Sequence, residues 1–168
     1  MKINAVPKYD ASVNETGCCA KFNPVGWDDR ILHFRDKPFV RATTRSAMHV
    51  PLNMGRVFGR VLGRIEDANA MKDEEVLVLS RELGPWEAEH YFAVTKDVAG
   101  EEMTTLSGDF LTRVFEGSYA KAADWGHEME VAARAHGKTP GRVFMYYTTC
   151  PRCANVYGEN YVVGMVEI

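Results

Sequence analysis

The chain has 168 residues, 46% hydrophobic and 26% charged, with a formal net charge of −3. A chain of this length buries roughly 70% of its unfolded surface, so it folds as one domain, or two small joined ones, without needing a metal or disulfide. The charge balance offers no basic face for nucleic acid, and no apolar run approaches the ~18 residues of a membrane span.

Residues 1–30 read as a polar N-terminal arm and cover segment, loosest up to Gly17. Ile31, His33 and Arg35 alternate with Leu32 and Phe34, and Asp36-Lys37 then precede Pro38-Phe39-Val40, the pattern of a hairpin leading into the first long strand. Met54, Phe58, Val61, Leu62 and Ile65 then mark one face of an amphipathic helix, with Asn53 at the N-cap position. Gly55, Gly59 and Gly63 recur every fourth residue on a single face of that helix. Each costs about 1 kcal/mol against alanine, which calls for a reason; close approach to a sheet is favoured over room for a ligand.

Residues 76–79 and 88–94 form a hairpin about Gly84-Pro85. Strand alternation puts His90, Phe92 and Val94 on one face, and Glu89, Tyr91 and Ala93 on the other. Further on, Leu111, Val114 and Phe115 mark a strand. Ala122, Trp125, Met129, Ala132 and Ala133 mark a helix stopped by Gly137. Strands follow over 143–149 and 161–168, separated by Cys150-Pro151-Arg152-Cys153 and a short polar loop with no helix expected.

Residues 34–98 and 104–168 thus repeat one order: strand, helix, strand, strand. The expected fold is α+β: a pseudo-symmetric duplication within a domain spanning 31–168. Its antiparallel sheet would carry the helices on one face, with a ligand cleft between the halves.

The doubled order, the segment Phe110-Leu111-Thr112-Arg113-Val114-Phe115-Glu116-Gly117-Ser118-Tyr119 before a helix bearing Trp125, the strand Glu89-His90-Tyr91-Phe92-Ala93-Val94 and the closing Tyr161-Val162-Val163-Gly164-Met165-Val166-Glu167-Ile168 carry a resemblance. Together they resemble the GyrI-like small-molecule-binding domain, also the effector-binding half of MerR-type and AraC-type drug-sensing regulators. The chain is similar, too, to a stand-alone bacterial branch often labelled as hydrolases. The resemblance implies an aromatic-lined cleft with one carboxylate at its floor. In the regulators that acid pairs with lipophilic cations; in some stand-alone members it serves hydrolysis of strained electrophiles such as cyclopropane-bearing DNA alkylators. No helix-turn-helix pattern is read ahead of the domain, so direct transcriptional control is not expected.

On this basis Glu89 and Tyr147 are the candidate catalytic residues, a general base and a hydroxyl for a developing oxyanion. The alternative for Glu89 is an outward-facing strand residue salt-bridged to an arginine, and Glu87 and Glu82 are nearby candidates if the register slips by two. Trp125, Tyr91, Phe58 and Tyr119 are candidates to line a ligand site. Tyr146 and Tyr147 point to opposite faces, so one of them faces the cleft. The arginines at 41, 45, 56, 60 and 64 read as a solvated face balanced by Asp67, Asp73 and Glu74. Of the four cysteines, Cys18, Cys19, Cys150 and Cys153, plain reduced thiols are favoured, with a zinc site and a redox pair left open.

No cofactor is expected. The expected partner is a small molecule, not nucleic acid or membrane, bound by a cytoplasmic monomer or weak homodimer. The alternatives to a detoxifying hydrolase are a non-catalytic effector sensor or drug sequestrant, and a zinc-stabilised interaction module.

Overall fold

The structure is a computed structural model that describes residues 1–168. It is α+β, with antiparallel strand pairing and three α-helices. The chain divides into two compact units: a central unit, Arg35–Ser107, and a terminal unit made of Met1–Phe34 and Gly108–Ile168. No helix is long and apolar enough to cross a membrane.

The central unit contains most of β1 (Arg30–Ala47), one continuous strand where a hairpin at Asp36-Lys37 is expected, then β2 (Val50–Pro51), α1 (Met54–Asp67), β3 (Val78–Glu82) and β4 (Glu87–Ala93). Strand β4 is the middle one, antiparallel to β1 on one side and β3 on the other. Helix α1 covers one face, where Val57, Val61 and Ile65 pack on Val40, Ala42 and Phe92. The buried stripe therefore runs at a spacing of four from Val57, and Leu62, expected inside, is 40% exposed. Asn53 stands at the N-cap, but its Oδ1 accepts the Arg45 N–H at 2.7 Å instead of capping the helix.

The reason expected for the helix glycines does not hold. A Cβ at Gly55, Gly59 or Gly63 would meet nothing within 4 Å, so no sheet presses against them. The close approach lies elsewhere, in the terminal unit.

There β5 (Glu102–Glu116, which starts in the central unit), α2 (Ala122–Ala135), β6 (Val143–Tyr147), α3 (Pro151–Tyr157) and β7 (Tyr161–Glu167) follow in order. Strand β7 is the middle one, between β5 and β6. The two units thus share a pairing order, β1-β4-β3 in one and β5-β7-β6 in the other. Helix α2 buries Trp125, Met129, Ala132 and Ala133 against Leu111, Phe115, Met145, Val162 and Val166. It ends, as expected, at Gly137 with φ 72°. Gly164 in β7 lets α2 approach: a Cβ there would sit 2.7 Å from Met129 Cγ and Sδ.

The two glycine environments give opposite expectations. Gly59→Ala should raise stability by about 0.5–1 kcal/mol, because alanine restricts the unfolded chain and meets no clash. Gly164→Ala should lower it by about 1–3 kcal/mol through overpacking. Urea unfolding of both variants checks the pair, and equal effects would contradict the packing described.

The segment before β1 is anchored beyond Gly17. Phe22 and Trp27 are buried and pack on Tyr146, at ring-centroid distances of 5.9 and 5.7 Å. Helix α3 was not expected at all. Pro151 fits its first turn, where a missing N–H costs nothing, and Gly158 at φ 69° ends it. With seven residues it is too short to display an apolar period.

Candidate active site

Glu89 lies at the centre of β4, on the face opposite α1, and is only 4% exposed. Burial of an unpaired carboxylate is strongly unfavourable, so its partners decide whether it is tolerated. Register supplies them. Arg81 in β3 stands directly across from Glu89, and Arg41 in β1 stands across from Tyr91, one diagonal step away. Glu89 Oε2 accepts from Arg41 Nε at 3.0 Å and Nη2 at 2.9 Å, and from the Tyr91 hydroxyl at 3.1 Å. Oε1 accepts from Arg81 Nε at 3.0 Å.

The guanidinium groups are less enclosed than the acid. The side chains of Arg41 and Arg81 are 29% and 32% exposed, against 5% for that of Glu89. Arg41 also reaches Glu102 at 3.2 Å. Burial works against its charge, but the hydrogen bonds to Glu89 and Glu102 outweigh it and hold the guanidinium more firmly protonated than usual.

An open groove of about 540 Å³ lies in the same unit and approaches the network only at Thr43, since Glu89, Arg41, Arg81 and Tyr91 do not line it. It is lined by Thr43, Arg45, Leu52, Trp86 and Glu87 among others. Thr43 is the cross-strand partner of Glu89, and Arg45 that of Glu87. Trp86 and Leu52, 61% and 66% exposed, give the groove apolar walls.

The opposite face of β4 carries a second polar chain. His90 is 1% exposed, with Nδ1 2.7 Å from Ser80 Oγ and Nε2 2.8 Å from Thr44 Oγ1. A neutral ring has one donor and one acceptor nitrogen, which matches two hydroxyl partners. Burial, only partly offset by the charge of Glu89, pulls its pKa from 6.5 to about 4. The unfolded ring therefore binds a proton in a window where the folded ring does not. Its contribution to stability is complete above pH 6.5 and is lost as pH falls towards 4, about 3 kcal/mol in all. Urea unfolding from pH 7 to pH 4 should show a shallower fall in His90→Gln than in the wild type; parallel curves would refute a neutral buried His90.

Tyr91 is buried beside Glu89 and meets Phe39 edge-on at 6.2 Å. Phe58 lies on the helix side, edge-on to His90 at 4.9 Å and to Phe92 at 5.0 Å, so it does not share the Glu89 face. Trp125 is 4% exposed and stacks on Phe115 at 5.4 Å within the α2 core. Tyr119 and Tyr147 meet edge-on at 5.4 Å in the terminal unit, and the Tyr119 hydroxyl donates to the Thr149 carbonyl at 2.6 Å. Tyr146 is the buried member of its pair, and Tyr147 is 38% exposed.

The sequence alternative of an arginine partner for Glu89 holds, but it did not name the two arginines. Arg41 was grouped with a solvated face, and Arg81 was not singled out. Two arginines of that face, Arg60 and Arg64, bind Glu101 at 3.0 and 2.9 Å, an acid not among those expected. Alternation alone does not find them, since Arg41 and Arg81 share the Glu89 face only once register is known.

The four cysteines all belong to the terminal unit, with their Sγ atoms within 4.8 Å of one another. A hydrogen bond from Thr16, assisted by neighbouring thiols, brings the Cys153 thiol down to about 6, whereas burial pushes the Cys19 thiol up. Such a group has the donor chemistry to hold a soft metal ion.

Taken together, these features describe an α+β protein with an acid-centred polar site and an open groove in the same unit. The family model described as "Bacterial hydrolase" matches residues 9–168, nearly the whole chain, and the protein belongs to that family. No curated protein matches it.

Proposed function

We propose that the protein is a small-molecule hydrolase of GyrI-like type, with Glu89 activating water to open strained, lipophilic electrophiles. The observation that carries this reading is the pairing of Glu89. A sensor of lipophilic cations needs its carboxylate available to the ligand's positive charge. Here two guanidinium groups already hold that position, at 2.9 and 3.0 Å. A neutral electrophile suits this arrangement better than a cation. Membership of a hydrolase family supports the same choice.

In this reading Arg41 and the Tyr91 hydroxyl fix Oε2, while Oε1, with one hydrogen bond from Arg81, takes the proton of a water molecule. The water oxygen bonds to a carbon of the strained ring and a ring C–C bond breaks. The released electron pair passes through the conjugated system to a carbonyl oxygen, which takes up a proton from solvent while Glu89 gives its own proton back to solvent and returns to the carboxylate. In this reading the guanidinium groups steady the negative charge that develops on that oxygen. The duplicated scaffold of the GyrI-like class belongs to this reading, and the shared pairing order of the two units supports it.

The test is incubation with a cyclopropane-bearing alkylator, followed by chromatography and mass measurement. The expected product is ring-opened and heavier by one water. Tight binding without product would replace the hydrolase with a sequestrant.

A further inference from the structure

Two cysteine pairs from distant parts of the sequence converge in the terminal unit. Cys18 and Cys19 lie in the irregular N-terminal segment, Cys150 immediately precedes α3, and Cys153 lies in its first turn. Cys18 and Cys19 Sγ are 3.8 Å apart, Cys150 and Cys153 Sγ 3.3 Å apart, and no two of the four exceed 4.8 Å. Zinc–sulfur bonds of about 2.3 Å in a tetrahedron imply sulfur–sulfur edges of about 3.8 Å. The cluster therefore needs adjustments of an ångström or less to close around one ion. Two disulfides would account for two close pairs, but not for the meeting of the pairs at one point. A shared cation accounts for both.

We propose that Cys18, Cys19, Cys150 and Cys153 bind one Zn²⁺ ion that staples the N-terminal segment to the start of α3. The surroundings are built for ligands rather than for loose thiols. Thr16 Oγ1 accepts the backbone N–H groups of Cys18 and Cys19 at 3.2 and 3.3 Å and lies 3.2 Å from Cys153 Sγ. This is the kind of outer hydrogen bond that orients a thiolate ligand. The Tyr157 hydroxyl donates to the Cys19 carbonyl at 2.6 Å, tying α3 to the ligand loop. On the other side, the Tyr119 hydroxyl holds the Thr149 carbonyl just before Cys150.

Four thiolates leave zinc no open position, so the site is structural and separate from Glu89. Its energy contributes to folding, specifically to anchoring residues 1–29, where Phe22 and Trp27 enter the core.

Wild-type protein purified in reducing, chelator-free buffer should carry one zinc per chain by plasma mass spectrometry. Cobalt substitution should give the visible bands of a tetrahedral four-thiolate site. Stripping the metal with a strong chelator should speed trypsin cleavage at Lys21 by about tenfold, and added zinc should reverse it. Cys19→Ser and Cys153→Ser should each lower zinc content below about a tenth of an equivalent under the same chelator challenge. Because a cysteine variant can fail by misfolding, the stripping and reconstitution of wild-type protein stand as a separate test. Wild-type protein that retains no zinc after reduction and reconstitution would overturn the proposal. So would iron in place of zinc, or full zinc retention in both serine variants.

Discussion

Glu89→Gln should destabilise the protein by about 2 kcal/mol and lower turnover by about two orders of magnitude or more. The amide has nearly the shape of the carboxylate but brings N–H donors to a place already filled by donors. At least one of Arg41, Arg81 and Tyr91 then loses its acceptor, and two guanidinium charges lose their counter-charge. The cost falls below the ~3–5 kcal/mol typical of breaking a fully buried pair, because both arginines can recover some hydration. For a chain of this size that is a loss of roughly 4–8 °C in Tm. Glu89→Asp keeps the charge and should recover stability more fully than rate, since a shorter side chain withdraws the oxygen that meets water. A Gln variant as stable as the wild type would mean that the ion pairs contribute nothing measurable.

The second large effect is at Trp125. Removal of a 4%-exposed tryptophan that stacks on Phe115 at 5.4 Å and 14° should cost about 3–5 kcal/mol in Trp125→Ala. Trp125→Phe keeps an aromatic face towards Phe115 and should cost much less, about 1 kcal/mol. The Phe variant also separates packing from ligand contact. If Trp125 serves the α2 core alone, Trp125→Phe turns over substrate with the wild-type KM. A raised KM at unchanged Tm would instead make Trp125 a lining residue.

The contrast between Glu89 and Trp125 shows what was legible in the sequence. Strand alternation correctly separated Glu89 and Tyr91 from His90 and Phe92, because side-chain direction in a strand is a local property. The Gly84-Pro85 turn and the Gly137 stop were local as well, being set by the φ angles those residues permit. The partners of Glu89 were not local. Arg41 and Arg81 lie 48 and 8 residues away and meet the acid only through register, which composition and periodicity do not encode.

The helix glycines failed for a related reason. Spacing showed that Gly55, Gly59 and Gly63 share a face, but not whether that face meets the sheet or open space. Helix α3 was too short for its period to register. The sulfur convergence depended on a fold that brings Thr16 and Cys153, 137 residues apart, into hydrogen-bond contact.

The most direct measurement is single-turnover opening of a cyclopropane-bearing electrophile in heavy-oxygen water, by the wild type and by Glu89→Gln shown to be folded. Wild-type product should carry one solvent oxygen from the first turnover, and the variant should form it about a hundredfold more slowly. Equal rates would remove Glu89 from the chemistry, and first-turnover product without solvent oxygen would make the carboxylate a nucleophile instead of a base.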